Sequence, residues 1–121
     1  MPCKAEPCTA LYVGPRSMDR IATFKTFISR SPQDPFPRYG LAMEHKSRGE
    51  LAEALGVFAD LMKQFPDYVA TYLMAGGTLV AMGRKDEAIS VFRQGIEVAS
   101  RRGDQHARRE LESALAEQTP A

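Results

Sequence analysis

Charge of one sign is scarce in this chain: 16 Lys plus Arg stand against 15 Asp plus Glu over 121 residues, a formal net charge of +1. That balance lacks the basic footprint of a dedicated nucleic-acid binder. Cysteine is scarcer still. Cys3 and Cys8 both fall in the first eight residues, where they cannot staple a domain. Their spacing, with only His45 and His106 elsewhere, does not supply the two close ligand pairs of a structural zinc site, so no metal and no cofactor is expected. A metal or redox role for the two thiols is the remaining alternative from another class. Long apolar runs are missing as well. The longest uncharged stretch, Tyr68 to Gly83, is too short and too rich in glycine to span a bilayer. No charged start followed by an apolar segment marks a secretory signal, so a cytoplasmic placement is expected, with no membrane and no nucleic-acid partner.

Catalytic signatures are absent too. There is no G-x-S-x-G elbow, no Walker loop and no G-x-G-x-x-G. Glu44 and His45 are sequence neighbours and point apart on a helix. The chain is therefore read as non-enzymatic. The four arginines Arg101, Arg102, Arg108 and Arg109 form the one local basic patch. Asp104, Glu110 and Glu112 interleave with it, which favours a solvated helix end with ion pairs over a phosphate site.

What the chain does have is 44% hydrophobic residues, enough for one domain with a core of its own. It also has a period. Gly49 and Gly83, Glu53 and Glu87, Ala54 and Ala88, and Phe58 and Phe92 all stand 34 residues apart. Phe24 and Pro32 extend the series backwards from Phe58 and Pro66. Within each period, apolar residues recur at helical spacing on both sides of the glycine. Pro35–Ser47 and 50–64 form one pair of helices, and 69–82 and 85–99 the next. Each unit is thus a helix, a tight turn needing a positive φ, and an antiparallel helix.

This pattern resembles the tetratricopeptide repeat. The matches are Ala54-x3-Phe58 and Ala88-x3-Phe92 in the second helices, the turn glycines, and Pro66 at the end of the first unit, replaced by Ser100 in the second. In the first helices the second copy offers Tyr72, Ala75-Gly76 and Leu79, the first copy Arg38, Leu41-Ala42 and His45. The resemblance implies an all-α helical-repeat superhelix with two full repeats at about 35–68 and 69–102. The flanks fit such a stack. Residues 18–30 read as the second helix of a truncated unit, with Arg20 where the family has a small residue. Residues 104–118 read as a polar capping helix with Asp104 as N-cap. Residues 1–16, with Pro2, Pro7, Gly14 and Pro15, are expected to be a mobile leader before a single domain at 17–118. Phe58 and Phe92 are expected to fill the space between units, with Ala54 and Ala88 where the helices cross.

The family's groove positions fall on Phe36, Tyr39, Met43 and Lys46 in the first repeat and Ala70, Leu73, Gly77 and Val80 in the second. The resemblance implies an interaction module that holds a peptide or helix of a partner protein on this apolar concave face. The alternative is a homodimer that buries the groove or an open repeat end. The Lys, Arg and Asn clamp with which one branch of the family holds C-terminal carboxylates has no counterpart at Tyr39, Met43, Leu73, Met74 and Gly77.

Overall fold

The computed structural model describes residues 16–120, and side chains from Arg20 onward. Six helices follow one another without strands among these residues: α1 (Arg16–Arg30), α2 (Pro35–Ser47), α3 (Leu51–Gln64), α4 (Ala70–Ala81), α5 (Lys85–Arg102) and α6 (Gln105–Gln118). Each helix packs on the next, and α4 also touches α6. The even helices share one wall of the stack and the odd helices the other. The expected leader lies outside the described residues except for Arg16, which already belongs to α1. Cys3 and Cys8 lie outside them as well.

The sequence starts and stops these helices by recognisable means. Asp34 accepts a hydrogen bond from the Phe36 amide at 3.0 Å, and Pro35 and Pro37 occupy the first turn of α2, where a missing N–H costs nothing. Gly49 and Gly83 close the first helix of each repeat at φ 80° and 77°. The amide three residues past the end reaches back five positions in both, Glu50 to His45 O at 2.9 Å and Arg84 to Leu79 O at 2.8 Å. A Cβ at such a φ would be strained, which explains why glycine recurs there.

The two repeats end differently. Pro66 follows α3 closely, whereas α5 continues through Ser100 to Arg102 and so passes its expected end at 99. Without a proline to stop it, α5 runs on until Gly103 turns the chain at φ 71°. Asp104 then caps α6 by accepting from the Ala107 amide at 3.1 Å.

The core runs along the seam between the layers. Ala42, Ala54, Phe58, Leu61, Tyr72, Ala75, Leu79, Ala88, Phe92, Ala99 and Leu111 are buried there. Ala54 and Ala88 are fully enclosed, as expected of residues at helix crossings. Arg20, the misfit in the small-residue series, turns outward. Its guanidinium holds both carboxylate oxygens of buried Glu44 on α2, at 2.8 and 3.3 Å. A bidentate ion pair thus joins α1 to α2 where the later repeats use an alanine.

Candidate partner-binding groove

Residues 36, 39, 43 and 46 on α2 and residues 70, 73, 77 and 80 on α4 recur at spacings of three, four and three. This spacing keeps each set on one face of its helix. None of the eight is buried. Tyr39, Met43, Leu73 and Val80 lean on the core from its edge. Phe36 and Ala70 are exposed, and Gly77 faces open space, with no atom within 4 Å of where a Cβ would stand. Gly76, its neighbour, is the opposite case: a Cβ there would lie 2.3 Å from the Phe92 ring. The glycine pair therefore does not serve close packing as a unit. Gly76 admits Phe92, and Gly77 leaves clearance in the groove.

The structure brings Tyr39, Ala70 and Leu73 together around a cavity of about 360 Å³, with Val69 and Met74 beside them. Phe36, Met43, Lys46, Gly77 and Val80 do not line it. Tyr39 is fixed by edge-on contacts with Phe58 and Tyr68, ring centroids 6.2 and 5.7 Å away. Burial raises the phenol pKa of both Tyr39 and Tyr68, so each stays neutral at physiological pH.

The far wall of this cavity is α6, through Asp104, His106, Ala107 and Glu110. These residues were not among the eight. Read as a polar cap, α6 is also the third inner helix of the stack, with Ala107, Leu111 and Ala114 directed at the core. Their spacing of four and three was the available signal. A second hollow of about 480 Å³ continues between Leu73 and the α6 residues His106, Arg109, Glu110, Ser113, Ala114 and Glu117. Together the two hollows carry more carboxylates than cations. Two of the four arginines of the neighbouring patch pair with carboxylates. Arg101 reaches Asp67 at 3.2 Å and Arg108 reaches Glu112 at 3.5 Å.

Residues 46–115 match the family model of the tetratricopeptide repeat. The chain belongs to that family. A tetratricopeptide repeat domain protein from Salinibacter ruber is 41% identical, covering 73% of this chain and 89% of its own, with a TM-score of 0.70. The same fold appears at much lower identity in two complexes. The TPR2B domain of yeast Sti1, in complex with pHsp70, is 14% identical with a TM-score of 0.76, covering 82% of this chain and 79% of its own. PcrH, in complex with the chaperone binding region of PopD, is 18% identical with a TM-score of 0.77, covering 96% of this chain and 91% of its own. Among curated proteins, none matches. The tetratricopeptide repeat stack is an all-α fold typical of protein–protein interaction modules. Among the described residues, no helix is long and apolar enough to cross a membrane.

Proposed function

We propose that this chain is a non-catalytic interaction module that holds an apolar segment of a partner protein along the inner faces of α2, α4 and α6. The observation that carries the reading is the cavity walled by Tyr39, Leu73, Met74 and α6; Gly77, one heptad beyond Ala70 on α4, adds open space beside the helix without lining it. Apolar side chains with a few placed polar groups are what a helix-in-groove or extended-peptide site requires. Support also comes from the two like folds seen holding a part of another protein, pHsp70 for the Sti1 domain and a region of PopD for PcrH. Lys46 stands at one end of the strip, and Asp104 and Glu110 on α6 stand at the other. The segment is therefore expected to place a Lys or Arg beside α6.

Gly77→Arg tests this without touching the core. Removing a helical glycine favours the helix by about 1 kcal/mol, while the new side chain fills the groove. Peptides selected from a displayed random library on the wild-type protein are expected to be apolar with a basic residue. The variant should bind them at least about tenfold more weakly, a loss of about 1.4 kcal/mol, with no fall in melting temperature. Equal calorimetric affinity for both proteins would remove the groove from consideration. A dimer in sedimentation velocity that Gly77→Arg dissolves would instead make a second copy of the chain the occupant.

A further inference from the structure

A hollow of about 640 Å³ lies on the wall of odd helices, between α1 and α3, with α2 beneath it. Ile28, Leu41 and Val57 give it an apolar lining. The 34-residue register supplies a control. The same groove recurs one repeat along, between α3 and α5, at about 330 Å³. Glu53 and Val57 of the larger hollow stand where the smaller has Glu87 and Val91, but Lys25, His45 and Gly56 replace Ala59, Leu79 and Ser90. Gly56 lies inside α3, where glycine disfavours the helix. Its φ is not positive, and no atom lies within 4 Å of where a Cβ would stand. Neither turn nor packing asks for glycine there; what it leaves is clearance at the hollow. Six titratable side chains line this space. Arg38 approaches Asp60 at 3.9 Å, and His45 lies 2.8 Å from Glu50. Lys25, Lys63 and Glu53 form no ion pair among the described residues. In the smaller hollow the equivalent glutamate, Glu87, is held by Arg84 at 2.7 Å.

We infer that this outer hollow is a second docking surface, and that it takes an acidic amphipathic segment of a partner protein. An apolar side chain of the segment rests on Ile28, Leu41 and Val57, and its carboxylates meet Lys25 on α1 and Lys63 on α3. Both lysines are exposed and unpaired, so no existing contact has to be broken. In the repeat register Lys25 matches Ala59, one turn before Lys63, which places both cations toward the C-terminal end of α3. Glu53 stands in the first turn of α3 and Lys63 in the last. The hollow therefore has ends of opposite sign, and the acidic residues of the segment lie toward the Lys63 end. Neither α1 nor α3 lines the cavity around Tyr39 and Leu73, so this surface is independent of the inner groove. The charge it selects is also the opposite of the basic residue expected beside α6.

The test selects peptides from a displayed random library on the full wild-type chain, with the Gly56→Arg protein as counter-selection. Gly56 faces open space, so Gly56→Arg is expected to fill the hollow without lowering the melting temperature. The retained peptides are expected to combine apolar residues with Asp or Glu. Their calorimetric affinity should fall at least about tenfold when Lys25→Glu and Lys63→Glu are combined, and should weaken with added salt. It should not change on Gly77→Arg, which obstructs the inner groove instead. Exchanging the acidic residues of a peptide for Lys should restore binding to the double variant. Should Gly56→Arg fail to fold, the double variant, changed only at exposed positions, serves as the counter-selection. A library that yields no peptide distinguishing wild type from these variants overturns the inference. Selected peptides without acidic residues, or bound equally by the double variant, overturn it as well. A dimer in sedimentation velocity that Gly56→Arg dissolves would make a second copy of the chain the occupant, against the inference.

Discussion

The two full repeats share a backbone plan and fill it in opposite ways. In the second repeat a large residue on the inner helix, Tyr72, meets a glycine on the outer helix, Gly95, so closely that a Cβ on the glycine would lie 2.5 Å from Tyr72 Cβ. In the first repeat the equivalent residues are Arg38 and Leu61. The bulk has moved across the seam. Leu61 is fully buried, and Arg38 reaches along its own side of the seam. The guanidinium lies over the Phe65 ring at 5.8 Å and donates to the Pro32 carbonyl at 3.2 Å. One cost is visible: Arg38 Nε is buried without a hydrogen-bond partner among the described residues. The repeat thus conserves the filled volume between its helices more strictly than the residue that fills it.

The comparison is anchored where the repeats agree, and the largest effects are expected there. Phe58→Ala and Phe92→Ala should each cost about 3–5 kcal/mol, a large part of the roughly 5–15 kcal/mol that holds such a domain together. Glu53→Ala, at an exposed position of the same period, should stay within about 0.5 kcal/mol. Denaturant titrations of the three variants check this. Small, equal shifts would show that the 34-residue register does not describe the core.

That register was legible because it rests on residues with few substitutes. Positive φ demands glycine, a tight crossing demands alanine, and the space between units takes a phenylalanine. Other features depend on what packs opposite, which a single sequence does not state. Gly76 and Gly77 look alike in the chain, but about 100° of helical rotation separates them, and only one faces Phe92. Arg20 looks like an error in the pattern until Glu44 is placed beside it. The inner wall supplied by α6 was hidden for a different reason. Its charged residues, Arg108, Arg109, Glu110, Glu112 and Glu117, dominate the composition, and the narrow Ala107–Leu111–Ala114 stripe reads as a cap. Ser100 marked the change at the end of the second repeat, but only the structure shows that α5 then runs on to Gly103.

Adjacent glycines sharpen the contrast in filling. Gly95→Ala and Gly76→Ala push a methyl group into Tyr72 and into the Phe92 ring, and each should destabilise by about 1–3 kcal/mol despite the better helix former. Gly77→Ala has open space and should stabilise by up to about 1 kcal/mol. The thermal midpoints of the three variants should therefore move in opposite directions. A gain at Gly95 would mean that the seam of the second repeat is loose, and the volume argument would fail.

The smallest effect concerns the third position of each repeat, where the sequences differ again. Pro37 is buried in the first repeat with an apolar ring. Thr71, its equivalent, is fully enclosed, and its hydroxyl has no hydrogen-bond partner among the described residues. Thr78, the other enclosed threonine of α4, donates to the Met74 carbonyl at 2.8 Å instead. A buried hydroxyl left unpaired costs free energy that a methyl group of the same shape does not. Thr71→Val keeps the β-branch and the volume, so it should stabilise by about 1 kcal/mol and raise the melting temperature by about 4 °C. Thr78→Val removes a made hydrogen bond and should give no such gain. If both substitutions lower the midpoint equally, Thr71 has a partner, such as a buried water, and the two repeats do not differ at this position in the way described.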